Sequence, residues 1–176
     1  MTAEFLESII AKLVNAGWHV GLHDPIQTEL PLALVARYPT IPSDYVFFLQ
    51  SVAYCVNGTE TVWFLCREDF DGTSPSAFRW DEWEKMTLES TDSSSMLASQ
   101  IHGFWTEHIP IMSSVKAGYA YAALDVAPRL FGYVVAGFEP EFEEPTVICD
   151  SFGAFLERLS LDVERPVKLQ EFKHFT

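Results

Sequence analysis

Positive charge is what this chain has least of. Among 176 residues, 11 are Lys or Arg against 25 Asp or Glu, which gives a formal charge of −14 and an isoelectric point near 4.6. Binding to a phosphate backbone relies on clustered cations that displace counterions, and no such cluster occurs, so nucleic acid is excluded as a partner. An anionic membrane surface would repel the chain for the same reason. Cysteine is scarce as well. Cys55, Cys66 and Cys149 are odd in number and far apart, so they suggest neither a disulfide framework nor a C-x-x-C metal or redox site, and they read as reduced, partly buried thiols. No apolar run approaches the ~18 residues needed to cross a bilayer, and Glu4 and Glu7 stand where a secretory signal would be basic. These absences point to a cytoplasmic protein.

Catalytic signatures are missing too. There is no G-x-S-x-G turn to raise a serine above a sheet, and no Gly-rich phosphate cradle. His19, His23, His102, His108 and His174 show no H-E-x-x-H or comparable metal spacing, and His19 and His23 lie between Gly17 and Pro25, where a helix is not expected. Asp69-Phe70-Asp71-Gly72 has the opening oxygens of a calcium loop, but the glycine comes too early and no glutamate closes twelve residues, so it reads as a turn. The expectation is a protein that is not an enzyme and holds no metal or cofactor.

What the chain does have is core material. With 48% apolar, 14% aromatic and 20% charged residues it can fold alone, and at this length about 70% of the unfolded surface can be buried in a single domain, residues 1–176. Phe5, Leu6, Ile9, Ile10, Leu13 and Val14 form a helical stripe over Thr2–Ala16, closed by Gly17. Trp18 to Tyr38, with Pro25 and Pro31, reads as a connection with a helical turn at Leu32–Arg37. A second helix is predicted over Ser43–Tyr54, carrying Tyr45, Phe48, Leu49 and Val52 on one face. Asn57-Gly58 then either caps that helix or turns into a strand at Thr61–Cys66, both through positive φ.

A short helix is predicted from Ser76 to Leu88, and the serine-rich Glu89–Gln100 reads as a surface loop. Ile109–Met112, Gly118–Leu124, Phe131–Phe138 and Thr146–Cys149 are short apolar or alternating runs expected to form an antiparallel meander. Asp150 or Ser151 can cap a final helix with Phe152, Phe155, Leu156 and Leu159 on its apolar stripe. Residues 161–176 read as a C-terminal extension, an edge strand or a surface wrap. The predicted class is α+β, a mainly antiparallel sheet of five or six strands with N-terminal, central and C-terminal helices packed against it.

One surface feature stands out. Glu139-Pro140-Glu141-Phe142-Glu143-Glu144 places four carboxylates around an aromatic ring just after a predicted strand. It reads either as an acidic knob for a partner's Lys and Arg, with Phe142 as a buried anchor, or as a solvated loop whose like charges keep it extended. Trp80 and Trp83 share a helical face, where core packing is the expected role. The charge of −14 either steers a basic partner or keeps the protein soluble.

Taken together, Ile41-Pro42-Ser43-Asp44-Tyr45 leading to Phe48-Leu49, the following Asn57-Gly58, Ile109-Pro110-Ile111, and Ser151-Phe152 through Phe155-Leu156 resemble the SUKH superfamily over roughly Ser8–Leu159. That superfamily joins fungal cell-wall-assembly regulators to bacterial toxin-immunity proteins. The resemblance implies a non-catalytic binding domain, in bacteria an immunity protein that blocks a toxin, often a nuclease. A nuclease presents cations to phosphates, so an acidic protein can occupy its cleft. The expected partner is therefore a basic toxin domain, contacted through Glu139, Glu141, Phe142, Glu143 and Glu144. An adaptor for a housekeeping partner and a small enzyme of unrecognised type are the alternatives.

Overall fold

The computed structural model describes residues 1–24, 26, 29–76, 78–91 and 95–176. Pro25, Ser93 and Ser94, used above as connection and loop signals, lie outside the described residues. The chain folds as α+β, and the described residues form seven antiparallel strands in sequence order: β1 (His19–Leu22), β2 (Val52–Val56), β3 (Val62–Phe64), β4 (His108–Ser114), β5 (Ala120–Asp125), β6 (Val134–Phe138) and β7 (Thr146–Cys149). The meander predicted from Ile109 onward is present as β4 to β7, the strand predicted at Thr61–Cys66 is β3, and β1 and β2 are added in front of it. Val52 begins β2 instead of continuing a helix, because the β-branched and aromatic run Val52–Val56 suits a pleated surface and finds a partner in β1. β1 falls in the stretch read as a connection; its four residues contain Gly21, and no alternation marks them.

Three helices cover the first face of the sheet. In α1 (Ala3–Asn15) the Thr2 hydroxyl accepts from Phe5 N, and Leu6, Ile9 and Leu13 are buried; Gly17 follows at φ 87°. In α3 (Ser43–Ser51) Tyr45, Phe48 and Leu49 face inward. In α7 (Phe152–Asp162) the cap is Ser151, whose hydroxyl accepts from Ala154 N at 3.2 Å, and Phe152, Phe155, Leu156 and Leu159 are buried. Their side chains join Cys55, Phe64, Ile111, Leu124 and Val134 in the larger core cluster.

The tail wraps, and does not add a strand. Phe172 and Phe175 lie 5.7 and 6.5 Å from Phe155 by ring centroid and are buried. The buried Asp162 carboxylate fixes the wrap by accepting from Leu169 N at 2.9 Å and from Thr176 Oγ1 at 2.7 Å.

The second face is divided. Over β4 to β6 it is closed by α5 (Glu82–Glu89) and α6 (Met96–Glu107), which bring Trp83, Ile101 and Trp105 against Tyr121, Ala123, Val135 and Phe142. The loop expected over Glu89–Gln100 gives way at Met96 to helix α6. Ser95 is in fact its N-cap, accepting from Ala98 N at 3.1 Å, and Ala98, Ile101 and Trp105 are its buried stripe. Helix α5 starts six residues later than predicted, and Trp83 is buried, in keeping with its expected core role.

Over β2 and β3 the same face stays open. Alternation puts Tyr54, Val56 and Trp63 on this side, and Tyr54 is 55% exposed. The short α4 (Arg67–Asp71) borders this half; the predicted turn here is a helix whose Asp69 Oδ2 accepts from Cys66 N at 2.8 Å. The β2–β3 connection is closed by the Asn57 side chain, whose Oδ1 accepts from Thr61 N at 2.8 Å and Val62 N at 3.1 Å. Gly58 does not use positive φ, contrary to expectation; a Cβ there would meet the Gly17 carbonyl oxygen at 2.7 Å, and Glu60 takes the left-handed conformation at φ 55°.

Candidate interaction surface

The acidic segment forms the connection between β6 and β7. Two prolines, Pro140 and Pro145, withhold N–H donors there, so the chain leaves the sheet after Phe138 and returns at Thr146. Glu139, Glu141 and Glu144 are exposed and Glu143 is half-buried. The loop is nonetheless fastened at three places. Glu139 N donates to Tyr119 O at 2.9 Å while Tyr119 N donates to Glu139 Oε1 at 3.2 Å. The Trp105 indole N–H donates to Glu143 Oε1 at 2.8 Å. The Tyr121 hydroxyl donates to the Phe142 carbonyl from within the core.

Phe142 is buried within the protein itself. Its ring is 5% exposed and sits 5.4 Å from the Trp83 ring and 6.4 Å from that of Tyr121. It anchors the loop to its own sheet, because an aromatic side chain flanked by two others gains more from burial there than from solvent. Burial also pushes the Tyr121 hydroxyl well above the ordinary tyrosine range, with the nearby Glu143 charge adding to it, so the group stays a donor.

A second polar arrangement went unseen in the sequence. Glu84, 6% exposed, accepts from Arg37 Nη1 at 2.6 Å and Nη2 at 3.0 Å, and its Oε1 lies 2.8 Å from His102 Nδ1. The Arg37 guanidinium also lies over the Tyr38 and Trp80 rings, at 5.7 and 5.4 Å from their centroids. These contacts tie α2 (Leu32–Arg37) to α5 and α6. Both Glu84 oxygens are engaged, so the carboxylate is a structural tie and offers no free base. Glu84 sits on the charged side of a predicted amphipathic helix, and nothing in local spacing links it to Arg37, 47 residues earlier.

The remaining nucleophile candidates are quiet. Cys55, Cys66 and Cys149 are free and buried, and burial raises the pKa of each thiol, which withholds the reactive thiolate. Among the described residues no group of three or more His, Cys, Asp or Glu could hold a metal ion, and no helix is long and apolar enough to cross a membrane.

The family model described as SMI1 / KNR4 family (SUKH-1) matches residues 36–158, from the end of α2 into α7. The chain belongs to the SMI1/KNR4 (SUKH-1) family. The match spans the α5–α6 cover as well as strands β2 to β7, so the covered half of the second face is part of the SUKH-1 region of this chain. No curated protein matches the chain.

Proposed function

We propose that this SUKH-1 member is a non-catalytic, cytoplasmic binding protein, and that it neutralises a toxin by laying an acidic surface over a basic active site. The family supplies the non-catalytic binding role, and the resemblance stated above supplies toxin immunity as its bacterial form. The observation that carries the reading is the fixed presentation of Glu139, Glu141 and Glu144. Their loop is held by Tyr119, Trp105 and Tyr121, so little order remains to be imposed on binding. A preorganised anionic loop on a protein of charge −14 both speeds encounter with a cationic cleft and competes with phosphate there.

The test is co-expression with the toxin encoded beside this protein's gene. Protection is expected from the native chain, and the triple reversal Glu139→Lys, Glu141→Lys, Glu144→Lys should slow association by about tenfold or more; because Glu139→Lys also removes the acceptor of Tyr119 N, the double reversal Glu141→Lys, Glu144→Lys is the one expected to leave the melting temperature unchanged. Equal killing with and without the native protein would sink the pairing.

A further inference from the structure

The open half of the second face holds a groove of about 680 Å³, a size typical of sites that enclose a ligand. Tyr54, Trp63 and Phe78 supply its aromatic lining, with Phe78 and Trp63 tilted together at 5.6 Å. Glu60, Glu68 and Asp69 supply carboxylates, and no Lys, Arg or His is among the described lining residues. The neighbouring cations are otherwise disposed. Arg67 donates to the Glu29 carbonyl, His23 Nε2 lies 3.7 Å from Glu68 Oε1, and Arg79 lines an adjoining cavity of about 150 Å³, which shares Asp69, Ser74, Ser76 and Phe78 with the groove, with its Nε 3.9 Å from Asp81.

We propose that this groove is a docking site for an arginine side chain carried on a loop of a protein partner. The molecule already contains such a site for itself: Arg37 lies over Tyr38 and Trp80 while Glu84 takes its two N–H groups. The groove repeats those ingredients, aromatic faces beside carboxylates, without an arginine of its own. A guanidinium suits it because its flat faces stack on Trp and Tyr while its edge donates to carboxylates, and its aliphatic stem covers Val56 and Val115. A phosphate or fatty-acid ligand would meet three like charges. A purely apolar occupant would strip water from those carboxylates and leave them unpaired.

The proposal rests on the binding role argued above and names a second contact region for it. The experiment follows the Trp63 indole N–H signal in a ¹⁵N–¹H spectrum, assigned with Trp63→Phe, during titration with the blocked peptide Gly-Arg-Leu-Arg-Gly. The expected result is a saturable shift of that signal. It should weaken about tenfold in Glu60→Gln/Glu68→Gln and in Tyr54→Ala, and vanish when citrulline replaces arginine. The proposal is overturned if millimolar peptide leaves the signal in place, or if citrulline or norleucine peptides shift it equally. It also falls if the loop reversal at Glu139, Glu141 and Glu144 removes binding while the groove variants do not, or if the signal moves with protein concentration alone, which would mark self-association. Because the loop reversal does not touch the groove, a failed toxin pairing and a failed groove are read separately.

Discussion

Tyr121 and Tyr54 occupy equivalent settings at opposite ends of one sheet face. Each is paired across strands with a glycine, Gly137 and Gly21, and each ring fills the space where that glycine's Cβ would stand, at 2.5 and 2.1 Å. Tyr121 is fully buried beneath α5, α6 and the acidic loop, whereas Tyr54 is 55% exposed. The strands are alike; the cover differs. Where Trp83 and Trp105 close over the sheet, aromatic side chains become core, and the acidic loop is held as a by-product through Phe142 and Glu143. Where nothing closes over it, similar aromatics and neighbouring carboxylates are left available to another molecule. One face therefore yields both a rigid platform and an open groove.

The sharpest way to break the contrast is to remove the cover. Trp83→Ala deletes a side chain that is 1% exposed and touches Phe78, Tyr119 and Phe142, and should cost about 3–5 kcal/mol by urea unfolding. The acidic loop should loosen with it, seen as faster amide exchange at Glu143 and Glu144. Cutting the tie beneath the cover is next: Glu84→Gln leaves Arg37 without its countercharge and should lose about 2 kcal/mol in the same measurement.

The two glycines compare the halves directly. Gly137→Ala forces a methyl into a ring that cannot move, for about 1–3 kcal/mol, while Gly21→Ala meets an exposed ring that can swing out and should change stability by less than about 1 kcal/mol. Equal losses would refute the claim that cover, and not strand geometry, separates them.

The smallest effect is on pH. Burial raises the Asp69 carboxyl above its ordinary value, against the opposing hydrogen bond from Cys66 N, so the folded protein holds that proton more tightly than the unfolded chain. Its contribution to stability therefore falls as pH rises from about 4 toward the raised pKa, and is flat above it. Asp69→Asn should remove that slope when its unfolding curves are compared with those of the native chain. On the covered half, Tyr121 stays protonated through the same range and should contribute no slope.

Much of the fold could be read from periodicity. The stripes of α1 and α7 and the apolar runs of β4 to β7 are local signals, and they landed where their spacing put them. The front of the sheet could not be read this way. Val52 continues both a helical stripe and a strand, and only pairing with β1 decides between them. Helix α6 was hidden because serines before a helix look like serines in a loop until Ser95 is seen accepting from Ala98 N. For the site, charge and position were legible at Glu139 to Glu144, but the direction of Phe142 depends on Trp83 and Tyr121, 59 and 21 residues earlier. The groove was invisible for the same reason: Tyr54, Trp63 and Glu68 are brought together by β2–β3 pairing and by α4, not by any motif.

The wrapped tail bears on how this protein can be cut. A fragment expressed as residues 36–158 alone would discard Leu6, Ile9 and Leu13 from one side of the interior and Phe172 and Phe175 from the other. It would also strip β1 from β2, turning a paired strand into a raw edge. Such a piece is a candidate for inclusion bodies.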